Sequence, residues 1–368
     1  PDAPKAERNV LGVIKKVGVD IGSQVMELLK DNHEAAAIIG GRYIHSVSAL
    51  IGGVSKSITE DERDKLVAIA KRSIETAKFS LQLFEDVVLK NQTYLDLILS
   101  DAFTHRTYYM GLVDENNQIN FYDGKVRVVD PNGVEFVKYA PDEYLDVVAE
   151  HIEPWTYLKF PFLKKVGWKG FEDGEDSGIY RATPLSRLNA ADGMATPLAQ
   201  VEYERFYDTL GGKPVHNTLA THWARLIELL YAAERSLELA EDPDITGTEI
   251  RTLPTETPTE GVGIVEAPRG TLTHHYATDE RGLLTKVNLI VGTTNNYAAI
   301  DMSIKKAAQG LIKTGVEITD GLLNQIEMAF RAYDPCFGCA THSLPGRQPF
   351  LLRIFDQDRE LVQEILRE

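Results

Sequence analysis

Apolar residues recur at three-to-four spacing from Val10 to Ile39, a period that predicts one amphipathic helix, and Gly40-Gly41 supplies its stop. A second helix opens at Thr59. There Thr59-x-x-Glu62 forms a capping box, in which hydroxyl and carboxylate each satisfy a backbone N–H that the first turn leaves unpaired. Its stripe runs to about Asn91, and the alternating charges opposite read as a solvated surface. Residues 107 to 140 turn β-prone, with a tight hairpin predicted at Asp123-Gly124 and a further turn at Asp130-Pro131-Asn132-Gly133. Trp155 to Tyr180 is aromatic and glycine-rich and reads as a packed irregular loop. Helices return over about Pro197 to Leu210 and Asn217 to Leu239; in the second, Trp223, Leu226, Leu229 and Leu230 fall on one stripe, which is core. Glu241 to Glu260 is a linker or surface loop with three prolines, at 243, 254 and 258. A hairpin over Thr271 to Val291 turns at Asp279-Glu280-Arg281-Gly282, and a helix begins near Tyr297. At the end, Phe350 to Phe355 reads as a strand and Asp358 to Leu366 as a short helix. The fold class is mainly α with small antiparallel β elements near residues 107 to 140 and 262 to 291.

Composition narrows the function classes. The chain has 368 residues, enough for one large domain or two intimate ones. Its formal net charge of −16 argues against nucleic acid and anionic membrane as partners. No apolar run reaches the ~20 residues that span a bilayer, and two cysteines in the whole chain fit a reducing cytoplasm.

Both cysteines lie in Tyr333-Asp334-Pro335-Cys336-Phe337-Gly338-Cys339-Ala340-Thr341-His342. Soft thiolates at this spacing can reach one soft metal from a short loop, and Asp334 and His342 flank them with harder donors. A lone CxxC is a weak signal: half a metal site, a redox pair and two buried thiols all fit.

The full string Asp334-Pro335-Cys336-x-x-Cys339-x-x-His342 resembles the C-terminal metal motif of the large subunit of nickel–iron hydrogenases, and Glu327 to Tyr333 fits that family too. Further elements resemble it along nearly the whole chain. They are Gly41-Arg42-Tyr43-Ile44-His45-Ser46 with Gly52-Gly53-Val54, Tyr180 to Asn189, Glu266-Ala267-Pro268-Arg269-Gly270, and Gly292-Thr293-Thr294-Asn295-Asn296. Ser46, Thr183 and Gly292 depart from the residues usual there. His45 reads as a buried, hydrogen-bonded histidine rather than a ligand, and His274 and His275 as hairpin supports. The likeness is greatest to the cytoplasmic group, and within it to the methyl-viologen-reducing, deazaflavin-non-reducing enzymes.

The resemblance implies a multi-helical large-subunit fold and a nickel–iron centre carrying carbon monoxide and cyanide, with magnesium nearby. By motif position Cys336 is the terminal nickel ligand and Cys339 the bridge, while His342 and the Leu289 carbonyl serve magnesium. Pro268 and Arg269 hang over the metals with the guanidinium toward cyanide, Thr293 donates to the second cyanide, and Asp334 orients Arg269; the competing readings are a structural ion pair for Arg269 and a helix cap near Tyr297 for Thr293. The implied reaction is heterolytic cleavage of dihydrogen, with a terminal thiolate or Arg269 as candidate base. Implied partners are an iron–sulfur small subunit, electron-transfer subunits of heterodisulfide reductase or diaphorase type, nickel-insertion chaperones and a maturation endopeptidase that cuts between His342 and Ser343. Residues 1 to 342 are then a large-subunit core lacking its N-terminal part, which would carry the other CxxC and a proton-path glutamate, and residues 343 to 368 are a removable extension. The competing readings are a non-catalytic relative, such as a respiratory complex I quinone-site subunit, and a thiol-based interaction module.

Overall fold

The computed structural model describes residues 4–7, 9–313, 315–336 and 350–367. The chain divides into two compact units, Pro1–Tyr333 and Asp334–Glu368.

In the larger unit the first helical stretch is two helices, Val10–Val17 and Val19–Gly40. Gly18 separates them at φ +99°, outside the range an α-helix can use, so the apolar period continues across a backbone break. Gly41, at φ +75°, ends the second helix as expected. His45 is exposed and itself has φ +52°, so the expectation of a buried, hydrogen-bonded histidine is wrong. The Thr59–Glu62 capping box is present and launches Glu60–Phe84, which runs into a π turn over Glu85–Leu89.

The central sheet is built on Tyr108–Val113, buried along its whole length. One face contributes Tyr108, Met110 and Leu112 to a core with Val126, Val128, Tyr139, Ile264 and Ile290. Val113 joins the helical core of Leu185, Leu188, Phe206, Trp223, Ile227 and Leu230. Burial on both faces explains why its sequence shows no alternation. The Asp130–Gly133 turn joins Lys125–Val129 to Glu135–Tyr139 as a hairpin. Asp123-Gly124 does not: it leads from the short strand Gln118–Ile119 to Lys125–Val129, and these flank Tyr108–Val113 on opposite sides. The expected loop at 155 to 180 also contains a strand, Lys159–Leu163, paired with Val148–Ile152. Pro161 within it hides the strand signal, and a two-stranded sheet tolerates proline because each strand is an edge.

Pro197–Leu210 forms with the expected bounds, proline in its first turn and Gly211 at its end. Thr221–Glu241 buries Trp223 and Leu230 and half-buries Leu226 and Leu229. It also buries Glu234, whose carboxylate accepts from the Thr196 hydroxyl (2.7 Å) and the Leu198 and Ala199 N–H groups (3.0 and 2.9 Å). A carboxylate thus closes the positive end of the neighbouring helix. Glu260–Ala267, Gly270–Thr278 and Leu284–Ile290 form a three-stranded antiparallel sheet, with the second turn at Asp279–Gly282 as expected. Tyr297–Leu311 and Asp320–Arg331 complete the unit.

In the smaller unit Phe350–Phe355 is the expected strand, but 358 to 366 is no helix: Leu361–Arg367 pairs antiparallel with it. Asp356 Oδ1 accepts from Asp358 N and Glu360 N, both at 2.9 Å, and closes the connecting turn. A strand so close in sequence is a ready partner, and a lone short helix has none.

Candidate metal centre

Pro268 and Arg269 are the two-residue tip of a hairpin whose last pair is Ala267 opposite Gly270. Gly270 has φ +151°, and a Cβ there would stand 2.4 Å from the Gly292 carbonyl oxygen and 2.8 Å from that of Ala182. Only glycine lets the tip lie against the Gly292-Thr293 segment. Side chains from two other elements hold this tip, and Glu266 on its own strand braces them. From Pro184–Ala190, Arg187 donates to the carbonyls of Ala267 (3.0 Å) and Pro268 (3.3 Å). Asn296 Nδ2 donates to the carbonyls of Arg269 (2.9 Å) and Gly292 (3.3 Å), while its Oδ1 accepts from Ala182 N at 2.8 Å. Glu266 accepts from Leu112 N (2.7 Å), the Thr271 hydroxyl (3.0 Å) and Arg187 (2.9 Å).

Arg187 is 1% exposed, so its charge needs partners. Burial works against that charge, but Glu228 and Glu266 outweigh it and raise the guanidinium pKa. The Glu228 carboxylate binds it bidentately, at 2.6 Å twice. Burial pushes the Glu266 carboxyl above its ordinary range, against the pull of Arg187. Gly111 makes room for this helix, since a Cβ there would meet the Arg187 Cα at 2.9 Å. Beside the network lies a cavity of about 300 Å³ lined by Phe121, Arg187, Glu228, Glu266 and Pro268, among others. Breaking a buried pair leaves an uncompensated charge. Glu228→Gln is therefore expected to cost about 3–5 kcal/mol of stability, checked by thermal or denaturant unfolding.

Of the residues singled out from sequence, Pro268, Arg269 and Thr293 are brought together through the Gly270–Gly292 contact. Thr293 is buried, and its hydroxyl does not cap the short helix Thr294–Asn296 that follows. Leu289 sits in strand Leu284–Ile290 opposite His274, four residues before Thr293. His275 bridges Tyr144 (2.8 Å) and Glu260 (2.7 Å), and His274 meets the Tyr276 hydroxyl at 2.7 Å. His275 therefore supports the hairpin as expected, while the His274 bond stays within one strand. Arg187, Glu228 and Asn296 went unassigned in the sequence reading. Their signal is slight: Arg187 lies in a resembling element, and Glu228 falls on the buried side of an apolar helix.

Tyr333, the last residue of the larger unit, is anchored in the core. Its hydroxyl lies 2.8 Å from Ser303 Oγ and 3.2 Å from His105 Nε2, and Ser303 meets His105 at 2.7 Å. Nearby, Tyr109 joins Arg181 to His216. Burial, then the Arg181 charge, lowers the pKa of His105 well below the usual histidine value and that of His216 from 6.5 to about 4. Both are neutral in the fold, and the unfolded chain takes up protons first. Their stabilising contribution is full above pH 6.5 and, for His216, falls away as pH drops from 6.5 through about 4. The melting temperature should decline across that window, and His216→Gln should flatten the decline.

In the smaller unit Asp334 is exposed with φ +50°, and Cys336 is half-buried. Cys339 and His342 lie outside the described residues. Among the described residues no group of three or more His, Cys, Asp or Glu side chains could hold a metal ion. The donor chemistry nonetheless fits one part of a soft-metal centre. In the smaller unit Cys336 offers sulfur; in the larger unit, taken by itself, Arg269 and Thr293 offer a cation and a hydroxyl on a rigid turn.

Comparisons with known proteins establish the family. A family model described as nickel-dependent hydrogenase matches residues 180–342. A protein of Archaeoglobus profundus, named as an iron-sulfur subunit of F420-non-reducing hydrogenase, is 48% identical over 364 residues, covering 99% of this chain and 75% of the relative. An F420-non-reducing hydrogenase subunit of Methanothermobacter marburgensis is 41% identical over 97% of this chain and 73% of its own length. The crystal structure of an NAD+-reducing [NiFe]-hydrogenase superposes with TM-score 0.84 at 35% identity, covering 92% of this chain and 72% of that one.

The chain belongs to the nickel-dependent hydrogenase family. Within it the chain is the large, catalytic subunit of a nickel–iron hydrogenase, an oxidoreductase acting on dihydrogen. The relatives are named as hydrogenases, which disfavours the quinone-site reading. Among the described residues no helix is long and apolar enough to cross a membrane.

Proposed function

We propose that Cys336 and Cys339 supply two thiolates to the nickel–iron centre, Cys336 as terminal nickel ligand and Cys339 as bridge. The centre, when bound, supplies the electrophile that polarises dihydrogen for heterolytic cleavage. Arg269 holds its guanidinium toward metal-bound cyanide, where a fixed cation and donor stabilise an anionic ligand in a site that excludes water. Pro268 stiffens the approach to Arg269, and Thr293 donates its hydroxyl to a second cyanide. Asp334 orients Arg269. The leaving proton would be received by a terminal thiolate, or by Arg269 only if it were held as the neutral guanidine rather than the guanidinium. The Leu289 carbonyl and His342 are oxygen and nitrogen donors suited to a hard magnesium ion. The observation that carries this reading is the clamped Pro268-Arg269 tip lying against the Gly292-Thr293 segment.

The same reading extends to the chain's company. It works in the cytoplasm with an iron–sulfur small subunit that takes the electrons, because its two cysteines leave none for clusters. Electron-transfer subunits of heterodisulfide reductase or diaphorase type follow. Nickel-insertion chaperones load the site, and an endopeptidase then removes residues 343 to 368 by cutting after His342. The family match ends at residue 342, which supports that boundary. Intact-mass measurement of the active enzyme is the test. The mature large subunit should end at His342, and active enzyme that retains the residues from 343 onward overturns the cleavage.

A further inference from the structure

We propose that Asn296 and Arg187 are positioning residues for Arg269, fixing the backbone of its turn so that the guanidinium is aimed before any ligand arrives. This rests on the reading of Arg269 given above. The carbonyls of Ala267, Pro268 and Arg269 are consecutive, and each is held by a side-chain donor from elsewhere in the fold. Pro268 and Arg269 are the tip of a hairpin, beyond its last ladder pair. Arginine has a long, rotatable side chain, so its aim depends on where the backbone sends its first bond.

Both clamps are saturated. Arg187 has five N–H donors. They are placed on the two Glu228 oxygens, one Glu266 oxygen and the carbonyls of Ala267 and Pro268. Asn296 is 0% exposed and uses both amide protons on carbonyls and its oxygen on the Ala182 N–H. Glu228 and Glu266 anchor Arg187 in turn, so the turn is referenced to the helical core and the central sheet at once. A fully satisfied buried network permits one geometry and penalises others.

Asn296→Asp is the sharp test, because it keeps the shape and the bond to Ala182 N and turns two donor bonds into contacts between oxygens. In the complete hydrogenase, with nickel content measured, N296D should lower kcat for dihydrogen oxidation about 10- to 100-fold, the range for a misplaced group. KM for dihydrogen should hold, and the infrared bands of metal-bound cyanide should shift. In an Arg269→Lys background the same change should cost no more than about twofold, because its effect runs through the arginine already lost. Nickel-loaded N296D turning over at the wild-type rate overturns the proposal, as does an equal fold-loss in both backgrounds. If R269K itself matches wild type, the reading of Arg269 falls and this proposal with it, a result distinct from the other two. Should N296D not load nickel, Arg187→Lys is taken through the same cycle. It keeps the charge but gives up the fork that reaches Ala267 and Pro268, and the same outcomes support or overturn.

Discussion

Cys336→Ser in the complete enzyme is expected to abolish dihydrogen oxidation, a loss of more than about 10⁴-fold, with nickel content falling alongside. A serine hydroxyl is a hard donor that stays protonated at neutral pH, so it cannot replace a soft thiolate on nickel. The change should leave the fold alone. Cys336 is half-buried in the smaller unit and belongs to neither hydrophobic core. Unfolding should therefore move by no more than about 0.5 kcal/mol, the range for substitutions away from the core. Nickel analysis, a viologen-coupled assay and a melting curve on one preparation check all three parts. An active, nickel-loaded serine variant would remove Cys336 from the centre.

Arg269→Lys is the second large effect. It keeps the positive charge but replaces a planar fork of donors with a single point charge, which matters wherever two acceptors must be met at fixed angles. The expected loss in kcat is about 10²- to 10³-fold, the scale for removing one preorganised donor at a developing charge. Nickel content should stay near wild type, because in the proposed role Arg269 faces the anionic ligands rather than the metal. A lysine variant that loses its nickel would recast Arg269 as an assembly residue.

What the sequence discloses follows from the range of the forces involved. The Thr59 capping box, the Pro197–Leu210 helix and the Asp279–Gly282 turn are local, and all three form as read. The Gly18 break is local too, but apolar periodicity conceals it because both helices keep the same spacing. The strands at 159–163 and 361–367 depend on a partner strand that no propensity reports. Asp123-Gly124 has the composition of a hairpin tip, yet the strand between its neighbours decides otherwise.

The site divides in the same way. Arg269 and Thr293 could be singled out because they sit inside short motifs, and Asn296 closes one of those motifs without announcing a role. Arg187, Glu228 and Glu266 are joined across as many as 79 positions, so only the folded chain shows that they brace one turn. His45 failed for the opposite reason: it lies in a resembling motif, but the fold leaves it exposed, at φ +52°.

The claim on which the account turns is that the sulfur of residue 336 is bonded to nickel. Nickel K-edge X-ray absorption on the complete enzyme with selenocysteine at position 336 tests it most directly, because selenium scatters far more strongly than sulfur. The account predicts a selenium atom at bonding distance from nickel in the loaded enzyme. A nickel shell of sulfur and light atoms alone, in fully loaded and active enzyme, would contradict it.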